Sequence, residues 1–270
     1  MNTIVISLAA IVLYLLTAAG IGATLFRPAD AVKPSMPLNL GLGFTAIVLH
    51  AVALRFGMVT DGGFDLGVFN ASSLVAWIIA LIVFTLAARR SLANLALIFF
   101  PVAALAIGLE LAFSSHRMMP DRTPLGLDLH VALSLLAYSV LSIAALQAVM
   151  LTVADRQIRR KRPLGVMHVL PPLATMETLL FQLIGVGWLL LGLGIAAGFI
   201  FVEDLFAQHL VHKTVLSLLA WLTFALLLLG RWRYGWRGRI AVRYTLAGFG
   251  LLMLAFFGSK AVLELVLNRN

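Results

Sequence analysis

The chain of 270 residues contains no cysteine. That excludes disulfides, thiolate metal centres, iron–sulfur clusters and covalent haem attachment from its own chemistry. Charge is scarce as well: 11% of residues are Asp, Glu, Lys or Arg, where a soluble domain carries about a quarter. So few charges cannot cover a water-facing surface, and a soluble globular fold is excluded. Long polar loops, repeats and low-complexity stretches are missing too, which leaves no room for an extramembrane domain. What fills the chain is apolar, with 62% hydrophobic residues and a mean hydropathy of +1.04. Lipid is therefore the expected solvent, and residues 1–270 are expected to form a single polytopic membrane domain.

Runs of about 20 apolar residues, the length that crosses a hydrocarbon core of about 30 Å, occur eight times: Thr3–Phe26, Leu38–Met58, Gly67–Ala88, Leu92–Phe113, Leu127–Val153, Thr175–Phe201, Val211–Gly230 and Ile240–Leu267. Clusters of charge, Pro and Gly separate them, among them "TDGGFD", "SSHRMMPDRTP" and "GRWRYGWRGR". In lipid the backbone must satisfy its own hydrogen bonds, and no short alternating segments suggest a barrel. The fold class is thus predicted as an all-α integral membrane protein, a bundle of eight transmembrane helices.

No Lys or Arg precedes Arg27, and the first run is longer than a signal-peptide core, so this segment is expected to be a retained span. Fourteen Lys and Arg fall in alternate loops, chiefly Arg156–Arg162 and Arg231–Arg243, against five on the other side. The positive-inside rule then puts both termini on the outer face. The net charge of +9 becomes a signal of topology. Anchoring to anionic lipid accounts for "RWRYGWRGR" and "DRQIRRKRP", and no nucleic-acid partner is expected.

Ionisable groups inside lipid are costly and mark functional positions by default. His50 lies near the middle of the second run, His130 about one turn into the fifth, and His212 opens the seventh. Neutral imidazole is a ligand for haem iron and for many metals, so His50, His130 and His212 are candidate ligands. Hydrogen bonding to a neighbouring helix is the plainer use of the same side chains. His116 and His209 fall in outer loops and His168 in a cytoplasmic one; His209 and His212, three residues apart, lack the carboxylate of a familiar zinc pattern. Lys260 and Glu264 pair at i, i+4 and Glu110 sits at similar depth, all near the outer face, either in the bundle or at the interface. Gln147, Glu177 and Gln182 suit interhelical hydrogen bonds. Gly185, Gly187, Gly192, Gly194 and Gly198 let a helix or a flat ligand approach the sixth span closely. Pro101 predicts a kink in the fourth. No nucleophile, base and carboxylate set can be assembled, so an enzyme is the weakest reading.

Several segments, taken in order, resemble one family. "LHVALSLLAYSVLSIAALQAV" from Leu129, "METLLFQLIGVGWLLLGLGIAAG", "HKTVLSLLAWLTFALLL" and "GWRGR" resemble consecutive helices and the Gly-Trp-x-Gly loop of the cytochrome c assembly family of CcsA and HemX type. Upstream, "HAVAL" and "GGFDLGVFNASSLVAW" are similar as well, so the likeness runs over about residues 40–268 and is strongest to an eight-span YpjD-like subgroup. The resemblance implies haem handling at the outer face of the bacterial inner membrane. It implies that His130 corresponds to the outer-face haem-ligating His and His50 to a His of the subgroup's second span. Synthetases of the family carry a Trp-rich outer loop and a second outer His after the last span; here those positions read "VEDLFAQHLVHK" and "SKAVLELVLNRN". The resemblance therefore implies a haem-binding factor for cytochrome c assembly or haem trafficking, and these departures weaken the case for synthetase activity. Its cofactor would be non-covalent b-type haem, held by His130 with His50 or His212, with Arg117 or Arg122 toward the propionates. Its partners would be the bilayer, haem, and other cytochrome c biogenesis proteins or an apocytochrome. The contrasting reading is a membrane transporter or structural partner that keeps the fold without haem; Pro-broken paired spans, the mark of many transporters, are not seen.

Overall fold

The computed structural model describes residues 3–26, 36–60, 63–87, 93–113, 118–119, 125–159, 170–201 and 211–258. Among these, eight helices are long and apolar enough to cross a membrane, one for each expected span. In chain order they are α1 (Thr3–Phe26), α2 (Met36–Met58), α3 (Val68–Ala87), α4 (Ala93–Ala112), α5 (Leu125–Arg159), α6 (Leu173–Phe201), α7 (Val211–Tyr234) and α8 (Arg239–Met253). A π-helical turn, Leu254–Gly258, continues α8. The chain is an all-α membrane protein of eight spans.

The helices fall into two compact units. The first holds α1 to α4, with α1 against α2 and α4, and α3 against α2 and α4. On α1, Ile6, Ala10, Tyr14, Ala18 and Ile21 point inward at intervals of three or four residues, while Leu8, Val12 and Leu15 stay exposed. Apolar residues on both faces are what a lipid-bathed helix needs, and Ala10 and Ala18 on the inner face allow backbones to approach. Helix α4 runs on through Pro101.

A short antiparallel sheet closes one end of this unit: β1 (Val59–Thr60), β2 (Gly63–Asp65) and β3 (Met118–Met119) in the order β1-β2-β3. Val59 pairs with Phe64, and Phe64 in turn with Met119. By sequence alone these residues are separators between spans. Strands of two or three residues show no measurable alternation, although Asp61-Gly62 is a hairpin dipeptide. Buried Asp65 then leads into α3 through an Asx turn, accepting the Gly67 N–H at 3.0 Å.

The second unit holds α5 to α8, with α5 packed on α6 and α8, and α7 on α6 and α8. Helix α5 extends past the expected end at Val153 as far as Arg159. Charge ends an apolar run without ending a helix, and Asp155 pairs with Arg159 at 3.0 Å in the favourable i, i+4 sense. At ~1.5 Å per residue α5 outruns the hydrocarbon core, so its basic end stands beyond the lipid tails. Gly235 and Gly238, at φ of 67° and 53°, make the turn from α7 to α8 in a conformation that other residues rarely adopt.

Candidate functional site

The glycines of α6 determine what can sit against it. A Cβ at Gly187 would strike Leu141 of α5, and one at Gly194 would crowd Ser134. One turn further, a Cβ at Gly198 would lie 3.0 Å from both Cε1 and Nδ1 of His130. Gly198 is thus the floor on which the His130 imidazole lies. The ring is half-buried, and its Nδ1 lies 2.7 Å from the carbonyl oxygen of Gly194. A carbonyl can only accept, so Nδ1 carries the proton and donates. Neutral imidazole then keeps its lone pair on Nε2, which makes no hydrogen bond among the described residues. The backbone carbonyl settles the tautomer and orientation of the ring, a geometry compatible with metal ligation through the far nitrogen.

His50 is in the opposite condition. It is fully buried in the first unit, with Nδ1 3.2 Å from the Tyr14 hydroxyl and Nε2 3.0 Å from Ser73 Oγ. Both ring nitrogens are engaged, and the Tyr14 ring meets the imidazole edge-on. His212 lies in the first turn of α7, in the same unit as His130, and is exposed. Among the described residues no three His, Asp or Glu side chains gather as a metal site. His116, His168, His209, Arg117, Arg122, Lys260 and Glu264 lie outside the described residues.

Two other polar side chains singled out in the sequence tie helices together. Gln147 donates to the Met176 carbonyl at 3.2 Å, joining α5 to α6. The Glu177 carboxylate accepts the Gly238 N–H at 2.8 Å and ties α6 to the start of α8. Gln182 is exposed. In the basic aromatic segment Trp236 covers Gly230 and packs on Tyr244, while Arg231 lies over the Phe181 ring. These residues therefore cover the end of the helices, a use of arginine and aromatics compatible with an interfacial position. Neither Tyr14 nor Ser73 is predictable from sequence as a partner of His50, because one Tyr or Ser within an apolar run carries no periodic signal.

Residues 64–267 match the family described as Cytochrome C assembly protein. The chain belongs to that family. It is 34% identical over 223 residues to the inner membrane protein YpjD of Escherichia coli K12, covering 82% of this chain and 84% of the relative. An uncharacterized 28.8 kDa protein of Azospirillum brasilense is 34% identical over 144 residues, 53% of each chain. The cytochrome c biogenesis protein CcsA of Synechococcus elongatus is 30% identical over 86 residues, 31% of this chain and 26% of the relative. No solved structure matches significantly. With eight spans and an inner-membrane relative matched along most of its length, the chain is a multi-pass protein of the bacterial inner membrane.

Proposed function

We propose that this protein binds haem non-covalently and serves cytochrome c assembly or haem trafficking at the outer face of the inner membrane, with Nε2 of His130 as an axial ligand. The observation that carries the reading is the 2.7 Å bond from His130 Nδ1–H to the Gly194 carbonyl, which leaves Nε2 as the donor atom. The donor set fits a haem: a neutral imidazole of assigned tautomer beside a helix face opened by glycine. The match to the cytochrome c assembly family and to a CcsA relative supports the same cofactor. His212, in the same unit, is the readier second ligand, because His50 would have to give up Tyr14 or Ser73 to ligate. The distribution of Lys and Arg supports the outer face for His130. Bound haem would supply an iron centre whose reduction potential depends on the side chains that hold it. The chain itself would hold Nε2 free and orient the ring. Without cysteine, any thiol reduction that cytochrome assembly requires must come from partner proteins.

The test is a reduced-minus-oxidised spectrum of purified protein after loading with haem. Wild type is expected to retain one b-type haem, and His130→Ala to lose it while His130→Gly recovers it in added imidazole. Absence of haem from loaded wild type, or an unchanged spectrum in His130→Ala, would overturn the reading and favour a transporter or structural partner that keeps the fold.

A further inference from the structure

Helices α5 and α8 pack against each other, and their basic ends form a cleft of about 330 Å³, within the range of roughly 300–1,000 Å³ that holds small ligands. Both helices line it in the same register: Leu151, Thr152, Asp155 and Arg156 from α5, and Gly238, Arg239, Val242 and Arg243 from the start of α8. Positions i, i+1, i+4 and i+5 fall on one stripe of a helix, so each element turns a single face to the cleft. Three arginines meet there against one carboxylate.

Their charges do not cancel. Asp155 is already paired with Arg159 at 3.0 Å, a residue that does not line the cleft, and Arg239 Nε lies 4.0 Å from it. Glu177, which reaches the same turn from α6, is tied to the Gly238 N–H at 2.8 Å. Arg156 and Arg243 are exposed and have no ion-pair partner among the described residues. The Thr152 hydroxyl is spent on the Ala148 carbonyl, so the side-chain donors left to a ligand are guanidinium N–H groups. Planar forks of this kind hold best an anion that presents several oxygens, as a phosphate does.

The level of the cleft indicates what carries the phosphate. It spans the boundary where the apolar run of α5 gives way to charge after Val153 and that of α8 begins at Ile240. Lipid phosphates lie at such a boundary, between hydrocarbon and water. Trp236, packed on Tyr244 at 5.1 Å, sets amphipathic rings beside the same turn. Leu151 and Val242 give the cleft an apolar side, and Val149, Val153, Ile240 and Leu246 are exposed on the same two helices, where acyl chains can lie. A free anion would use the arginines and none of this apolar surface. We propose that the cleft is a phosphate site filled by the headgroup of an anionic phospholipid, with Arg156 and Arg243 as its main donors and Arg239 steered by Asp155. Arg156 stands 26 residues from His130 on the same helix, about 39 Å of helical rise, so this site is separate from the haem site proposed above.

The experiment is native mass spectrometry of full-length, delipidated protein titrated with phosphatidylglycerol, with zwitterionic phosphatidylethanolamine and, separately, with inorganic phosphate. Wild type is expected to bind a first phosphatidylglycerol more tightly than phosphatidylethanolamine. A basic residue beside anionic lipid is worth about fivefold in affinity, so Arg156→Gln combined with Arg243→Gln should weaken that first lipid by roughly 25-fold. The control, Arg233→Gln combined with Arg237→Gln, removes the same charge from exposed positions outside the cleft and should weaken it far less. Thr152→Trp, which fills the cleft and keeps every charge, should lower the affinity as well, and thermal unfolding of each variant separates lost binding from lost folding. Equal affinity for the two lipids, equal losses in the two double variants, or undiminished binding in Thr152→Trp would each overturn the site. A phosphate adduct that excludes the lipid and disappears with Arg156 and Arg243 would overturn the lipid assignment. None of these readouts involves haem, so the two proposals stand or fall separately.

Discussion

His130 and His50 are the same side chain with different partners, and the partners decide what each can do. A carbonyl takes one proton from His130 and leaves an open lone pair; two hydroxyls occupy both nitrogens of His50. The prediction at this scale concerns Gly198, whose missing side chain makes room for the His130 ring. Gly198→Val should displace the imidazole and break its bond to Gly194, an overpacking cost of roughly 1–3 kcal/mol. Its signature is loss of the Nδ1–H proton resonance of His130 before any haem is added, followed by weaker haem retention. The candidates His50, His130 and His212 were legible as imidazoles placed in spans. Which nitrogen stays free was not, since it depends on a residue 64 positions away.

Among the elements, the spans were the most legible because an apolar run is a local property that lipid reads directly. The ends of α5 and α7 were less so, since a helix continues past the last apolar residue wherever side chains still favour it. The sheet escaped notice because two or three residues cannot display a period. The turn between α7 and α8 offers two predictions. Gly238→Ala forces a side chain into φ 53° and should cost about 1 kcal/mol or more. Glu177→Ala leaves the Gly238 N–H without its acceptor and should cost about 1–3 kcal/mol. Thermal unfolding in detergent checks both, and the double variant should fall short of additivity because the residues share one contact. By contrast Arg159→Ala, which removes an exposed ion pair with Asp155, should change stability by less than about 1 kcal/mol.

For the whole molecule, the uneven distribution of basic residues predicts an arrangement across the membrane. Phosphatase fusions joined after Phe113 or Phe201 should be active outside the cell, and fusions after Arg159 or Tyr234 inactive; the reverse pattern would place His130 at the cytoplasmic side. Eight spans, the exclusion of thiol chemistry and a shortlist of three histidines came from the sequence by itself, because hydropathy, composition and residue identity do not depend on how the chain folds. The tertiary structure alone decided that Gly194 and Gly198 hold His130, and that Tyr14 and Ser73 gather around His50. The physical reason is that a hydrogen bond acts over about 3 Å of space, and in these sites the groups it joins stand 23 to 64 residues apart along the chain.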